Sequence, residues 1–299
     1  MSNVRRRLLT LALCLGLAGV FATWTQSAVA ADPVFVGAGD IADCTTTSAA
    51  ASGAEQTAKL LDSLNSIDDT VFTLGDNVYD AGTTTQFNTC YAPTWGRHKA
   101  RTRPAPGNHE YLTSGASGYF GYYGASAGPP NLGYYSYDVG AWHIVSLNSE
   151  TDASATSAQV QWLRDDLALH RAACTLAYWH KPLYSSGTHG DLANMQQVWK
   201  LLYENGADLV LNGHDHDYER FAPQDPYGRA DPNGIREFVV GTGGADRRGI
   251  SVAQPNSERF DSSTFGVLKL TLHPASYDWQ FIPVKGHSFT DSGSGVCHL

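Results

Sequence analysis

One pattern constrains this chain more than any other: at five places a short apolar run ends in a cluster of Asp, Asn, His or Tyr. Val34-Phe35-Val36-Gly37-Ala38-Gly39 delivers Asp40, and Val71-Phe72-Thr73-Leu74 leads into Gly75-Asp76-Asn77-Val78-Tyr79-Asp80. Arg103-Pro104-Ala105-Pro106 leads into Gly107-Asn108-His109-Glu110, and Thr175-Leu176-Ala177-Tyr178-Trp179 ends at His180. The richest cluster, Asn212-Gly213-His214-Asp215-His216-Asp217-Tyr218-Glu219-Arg220, follows Ala207-Asp208-Leu209-Val210-Leu211. That apolar run reads as a buried parallel strand. Sheets of this kind gather ligands in the crevice beyond the carboxyl ends of their strands. Imidazoles at i and i+2 of an extended backbone point the same way, so His214 and His216 suit metal ligation. Oxygen and imidazole donors are those that borderline-hard metals take. Turn-capping Asp and Asn or a core His would explain one such cluster but not five in matching strand context.

Taken in order, Asp40, Gly-Asp76-x-x-Tyr79, Gly-Asn108-His109-Glu110, His180 and Gly-His214-x-His216 resemble the five blocks of the calcineurin-like metallophosphoesterases. Tyr79 and the string Gly-His-x-His-x-Tyr-Glu-Arg look like the purple acid phosphatase branch, in a secreted, bacterial-type form that is a catalytic domain alone. The resemblance spans residues 34 to about 245. One block departs: that branch usually reads Asp-x-Gly and the wider superfamily Asp-x-His, whereas this chain has Asp40-Ile41-Ala42. Ala42 cannot coordinate, and Tyr79 supplies the missing donor.

The resemblance implies two metal ions. Asp40, Tyr79 and His216 go to the first, Asn108, His180 and His214 to the second, with Asp76 bridging. A tyrosinate favours a trivalent ion, hence Fe(III) beside a divalent Fe, Zn or Mn. The implied reaction is hydrolysis of phosphate monoesters by hydroxide made on the metals, of acid phosphatase type. His109, beside Asn108, is the expected general acid or phosphate-binding group. His189, in the loop Ser185-Ser186-Gly187-Thr188-His189, resembles a second substrate-facing histidine; its alternative is an exposed loop residue. Glu110 is expected to orient His109 or stabilise its turn, and Glu219 with Arg220 to brace the His loop. Gly241-Thr242-Gly243-Gly244 reads as a tight turn rather than a phosphate cradle. Rival readings are a phosphodiesterase acting on nucleotides or phospholipid head groups, and a non-catalytic phosphate- or metal-binding protein on the same scaffold.

Residues 1–30 read as a signal peptide: basic Arg5-Arg6-Arg7, an apolar stretch from Leu8 to about Thr23, and a small-residue cleavage site at Ala28-Val29-Ala30. Export by the general route or, given the consecutive arginines, the twin-arginine route follows, with no membrane attachment after cleavage. Residues 31–299 are then one catalytic domain. Cleavage removes three arginines and no acid from a chain whose formal charge is already −9. Such a surface argues against nucleic acid as a structural partner. A phosphate ester substrate remains compatible, because bound cations set the local field. Four cysteines remain for an oxidising compartment. Of three pairings, Cys44–Cys90 and Cys174–Cys297 are favoured, the second pinning the C-terminus to the strand before His180.

Between the clusters, 49–65 reads as a crossover helix, 113–131 as a long rim loop, and 192–204 as a helix closed by Asn205-Gly206. Residues 157–171 form an amphipathic helix with Ser157 as N-cap and Val160, Leu163, Leu167 and Leu169 on its apolar side. Strands are expected at 134–137, 142–147, 237–240, 265–272 and 277–284. His143 reads as structural, and His98, His170, His273, His287 and His298 as surface or turn residues. The sum is a four-layer α/β/β/α sandwich: two mixed sheets face to face, helices outside, and loops converging from several strand ends. Oligomeric state is not encoded in these patterns.

Overall fold

The computed structural model describes residues 31–45, 48–64 and 69–298; the signal peptide expected at 1–30 lies outside them. In chain order the strands are β1 (Val34–Ala38), β2 (Ala42–Asp43), β3 (Thr70–Leu74), β4 (Val78–Tyr79), β5 (Thr102–Ala105), β6 (Tyr135–Val139), β7 (Trp142–Ser146) and β8 (Cys174–Tyr178). There follow β9 (Leu209–Asn212), β10 (Tyr218–Phe221), β11 (Arg236–Val240), β12 (Ser257–Asp261), β13 (Gly266–His273), β14 (Ser276–Pro283) and β15 (Ser292–Val296). The α-helices are α1 (Gly53–Ser63), α2 (Thr84–Gln86), α3 (Asn108–Tyr111), α4 (Ser117–Tyr123), α5 (Ala158–Leu169) and α6 (Gln196–Glu204).

Two mixed sheets result. The first runs β15-β14-β13-β1-β3-β5, and the second β12-β10-β11-β9-β8-β7-β6. The strands β1-β3-β5, at one side of the first sheet, and β7-β8-β9-β11, in the middle of the second, are parallel, and the remaining pairs are antiparallel. The sheets face each other across an apolar interior. Phe35 and Phe72 of the first sheet meet at 4.6 Å between ring centroids, and Tyr178 of the second lies 6.0 and 6.3 Å from them. A second apolar cluster (Val145, Leu163, Trp179, Val198, Trp199 and Val210 among others) joins the other sheet face to α5 and α6. On the far side α1 lies against β13. This is the expected α/β/β/α sandwich.

Local sequence explains the helix ends. Ser52 and Ser157 accept hydrogen bonds from Glu55 N–H and Val160 N–H, capping α1 and α5. Gly206, at φ 71°, ends the turn after α6. The outer strand β5 carries Pro104, whose carbonyl accepts from the hydroxyls of Tyr119 and Tyr135; its exposed edge is thus covered by aromatics. Both favoured disulfides are present, Cys44–Cys90 and Cys174–Cys297.

Three expectations are corrected. Residues 113–131 are not a bare loop but contain α4, which buries Tyr119 and Tyr123. Leu169 does not share the buried side of α5; it is 79% exposed at the helix end, where the periodic stripe has run past the sheet. His98 is buried rather than superficial, with its ring against Asp62 and Arg101.

Candidate metal centre

Every cluster singled out in the sequence arrives at one place. Asp40 follows β1, Asp76 follows β3, Tyr79 lies on β4, Asn108 opens α3 after β5, His180 follows β8, and His214 and His216 follow β9. The seven side chains form a connected polar cluster. Tyr79 OH lies 2.8 Å from Asp40 Oδ1, 3.1 Å from Asp76 Oδ2 and 3.1 Å from His216 Nε2, and His216 Nε2 is 3.2 Å from Asp40 Oδ1. His180 Nε2 lies 3.2 Å from Asp76 Oδ2, 3.1 Å from Asn108 Oδ1 and 3.2 Å from His214 Nδ1. Asp76 touches both halves. Asp76, His180 and His214 offer donor atoms within 4.8 Å of one another.

The backbone is bent to bring this about. Asp40, Asp76 and His214 all take left-handed φ values, 59°, 44° and 72°, which cost energy for any residue with a Cβ and persist where surroundings over-determine them. Gly107 is required by proximity: a Cβ there would lie 2.2 Å from Asp76 Oδ1. Gly75, at φ +83°, leaves room for the His180 ring, 2.6 Å from where its Cβ would be.

Second-layer partners fix the rings. His180 Nδ1 lies 2.7 Å from the Leu74 carbonyl, so Nδ1 carries the proton and Nε2 faces the cluster. Asp246 contacts His216 Nδ1 and is itself held by Arg248 Nε at 3.3 Å. Glu110, fully buried, accepts from the N–H groups of Asn77 (2.9 Å) and Gly107 (2.7 Å), clamping two donor-bearing loops together rather than touching the His109 ring. Glu219 accepts from Ser186 N–H, Ser186 Oγ and Ser257 Oγ and so braces the loop that carries His189. Gly241–Gly244 is packing, not a cradle: Gly241 N–H and Gly243 N–H are used by the Asp217 and Gly39 carbonyls.

Charge is concentrated here. Burial, then Asp40 and Asp76, pushes the Tyr79 phenol well above its ordinary value; ionising it needs a strong cation beside it. Burial opposes protonation of His180, but Asp76 outweighs it and lifts the ring to about 10, while His180 holds Asp76 far below the carboxylate range. His216 is likewise raised to about 9, Asp40 and Asp246 overcoming its burial. His214 goes the other way, to about 2, through burial and the neighbouring His180 and His189. Two buried carboxylates, a phenol, an amide oxygen and three imidazoles fit a pair of borderline-hard cations with Asp76 between them.

His109 and His189 lie against different members of the cluster. The His109 ring lies over Tyr79 at 4.4 Å, with Nδ1 2.5 Å from the Asp80 carbonyl and Nε2 3.9 Å from Asp76 Oδ2. His189 stacks on His214 at 4.2 Å, and its Nδ1 is 3.0 Å from Asp215 Oδ1. Arg248 Nη1 reaches His189 Nε2 at 3.1 Å. The sequence reading missed Asp215, Asp246 and Arg248. Asp215 stands between the paired histidines, so its position was visible; Asp246 and Arg248 carry no spacing signal.

An α/β/β/α sandwich with a candidate binuclear centre at its strand ends defines the metallophosphoesterase class. Residues 32–218 match the family described as calcineurin-like phosphoesterase, and the chain belongs to that family. Purple acid phosphatase 18 of Arabidopsis thaliana is 35% identical over 135 residues, which cover 43% of this chain and 30% of that protein. The alignments with six such Arabidopsis proteins span between 30% and 37% of their lengths. These are plant proteins, so they do not single out the bacterial type expected from the sequence. The fold is similar to that of the purple acid phosphatase PPD1 isolated from yellow lupin (Lupinus luteus) seeds, with a TM-score of 0.70, 22% identity and coverage of 88% of this chain and 53% of the other. It is also similar to GAP50, the anchor in the inner membrane complex of Plasmodium, with a TM-score of 0.68, 14% identity and 90% coverage of each chain.

Proposed function

We propose that the protein is a secreted phosphatase of the purple acid phosphatase branch that hydrolyses phosphate monoesters at a binuclear metal centre. The observation that carries this reading is the single buried cluster in which the seven donors are linked at 2.8–3.2 Å, with Asp76 common to both halves. Asp40, Tyr79 and His216 would hold Fe(III), and Asn108, His180 and His214 a divalent Fe, Zn or Mn, with Asp76 bridging. When bound, such a pair lowers the pKa of water and offsets charge on the phosphate oxygens.

The protein's own groups supply the rest. A carbonyl can only accept, so His109 Nδ1 donates to Asp80 and Nε2 is the atom left to meet substrate. In its imidazolium form it gives the Nε2 proton to the leaving alkoxide and is left as the neutral Nδ1–H ring. His189 donates from Nδ1 to Asp215 and accepts from Arg248 at Nε2. An incoming phosphate takes over the Arg248 donors, and the His189 ring, stacked on His214, walls that side of the site.

Metal analysis followed by turnover of matched monoester and diester chromogenic substrates is the test. Iron plus a second metal, a visible charge-transfer band lost in Tyr79→Phe, and preference for the monoester are expected. Diester preference would move the protein to the phosphodiesterases. A fully metallated protein inert on both would make it a binding protein on this scaffold.

A further inference from the structure

A second group of side chains with metal-ligating atoms lies away from the candidate centre. His143 on β7, and Asp166 and His170 on the last turn of α5 and just past it, bring donor atoms within 4.8 Å of one another. His143 pairs with Thr175 at the start of β8, whereas His180 follows the far end of that strand. This cluster therefore sits at the opposite end of the sheet from His180.

Its geometry is that of a supported site. His143 is 1% exposed; its Nε2 lies 2.8 Å from Asp166 Oδ2, and its Nδ1 lies 3.0 Å from Asp138 Oδ1. Asp138 and His143 are cross-strand partners, so the carboxylate orients the ring from the neighbouring strand. That is the carboxylate–histidine arrangement found behind metal-ligating imidazoles. Asp166 is fixed in turn by Ser136 Oγ at 2.7 Å, and His170 Nδ1 donates to its backbone carbonyl at 3.0 Å and lies 3.2 Å from its Oδ1, which leaves Nε2 as the His170 atom to meet an ion. Asp166 and His170 are spaced i,i+4, which puts both on one side of the helix. His143 Nε2 and Asp166 Oδ2 stand at hydrogen-bond separation, 2.8 Å, so roughly half an ångström of movement would bring them to the ~3.3–3.5 Å that separates donors around a tetrahedral zinc ion.

Charge favours the same conclusion. The His143 and His170 rings stack at 4.8 Å, which brings the two imidazoles to one place. A divalent cation there would offset the charge of Asp138 and Asp166 at the C-terminal end of α5, where the helix dipole attracts positive charge. His170 is 47% exposed on its side chain, which gives the ring room to turn out of the stack toward an ion.

We propose that His143, Asp166 and His170 form a second, non-catalytic site for a divalent cation of the zinc type, with Asp138 orienting His143 and solvent completing the shell. Two imidazoles and a carboxylate are the donor set such an ion takes. Bound there, it ties the end of α5 to β7 next to the short turn that enters β8 at Cys174.

The experiment uses the full protein as purified, with its own metals in place, and the exposed-site variant His170→Ala. After equilibration with Zn2+ and desalting, the wild type should retain one more equivalent of zinc than the variant. At a hundredfold excess over Kd, Zn2+ should raise the wild-type Tm by about 5–10 °C and leave the variant's unchanged. Added Co2+ should give an intense tetrahedral d–d band in the wild type alone. Equal zinc content and equal thermal response in the two proteins would overturn the proposal and leave the cluster a buried ion pair. None of these readouts depends on phosphatase activity.

Discussion

Asp246 stands behind His216 as Asp215 stands behind His189, and neither pairing is incidental to the chemistry proposed. A ligating imidazole whose other nitrogen is held by a carboxylate is better oriented and more basic, and loss of such partners typically weakens metal affinity or activity 10- to 100-fold. Asp246→Ala should therefore reduce retention of the Tyr79-side metal by a factor in that range. Asp246→Asn should restore part of it, as read by metal analysis after dialysis. Unchanged retention in the alanine variant would show that His216 is held without Asp246. His109 behaves differently because it faces the cluster without belonging to it. His109→Ala should keep both metals and lose roughly 10²–10⁴-fold in kcat; release of metal would instead make it part of the coordination shell. Glu237 offers a test unconnected with catalysis. It is fully buried on β11, and burial, then Glu219, pushes its carboxyl well above the ordinary value, the backbone near Tyr184 and Leu183 only partly offsetting this. A raised acid stabilises the fold in its protonated form. Its contribution is whole below the ordinary glutamate pKa and is lost as pH climbs towards the folded value. Glu237→Gln should thus raise stability at pH 7 by on the order of 1–3 kcal/mol, with the gain shrinking towards pH 4. An equal gain at both pH values in thermal melts would rule out ionisation as the cause.

At the scale of elements, the C-terminal segment shows how a weak strand is kept in place. β15 is Ser-Gly-Ser-Gly-Val, with no apolar face of its own. The chain after it is fastened by Cys174–Cys297 and by Asp208, which accepts from His298 N–H at 2.6 Å and from Thr175 N–H at 2.8 Å. The bridge closes a separation of 123 residues, worth about 4–5 kcal/mol by chain entropy before native strain. Cys297→Ser should lower Tm markedly while metal stoichiometry stays the same, because β7 and β9 hold β8 on both sides between the bridge and His180. Loss of metal together with Tm would mean that strain at the bridge reaches the site. The same contrast explains what the sequence could and could not reveal. Strands buried on both faces, such as β3, β8 and β9, announce themselves as continuous apolar runs. β12 and β15 are edge strands made mostly of polar and glycine residues, legible only through their partners. α4 is hidden because Gly115, Gly118, Gly121 and Gly124 imitate a loop, although its tyrosines pack inward. The seven donors were legible because each follows a strand or a fixed turn. Asp246 and Arg248 were not, since their positions depend on how a loop some thirty residues beyond His216 folds back over it.

For the molecule as a whole, the candidate centre is also a fastening between layers. Asp40, Asp76 and Asn108 come from the ends of the first sheet's parallel strands, and His180, His214 and His216 from those of the second. Metal held by both sets would add to the hydrogen bonds that already join the two sheets at that end, among them Gly39 N–H to the Val240 carbonyl at 2.9 Å and His214 N–H to Asp40 Oδ2 at 2.9 Å. Ligands that bind only the native state stabilise it by mass action, about 4 kcal/mol at a thousandfold excess over Kd, which for a domain of this size is a Tm change of roughly 10 °C. Stripping both metals with a chelator under reducing conditions should lower Tm by that order, and restoring them should recover it. Asp76→Asn should melt near the stripped wild type and respond little to added metal, because the group common to both halves no longer carries charge. If the stripped wild type melts where the loaded protein does, the two sheets are held by their packing and hydrogen bonds and the metals act on chemistry alone.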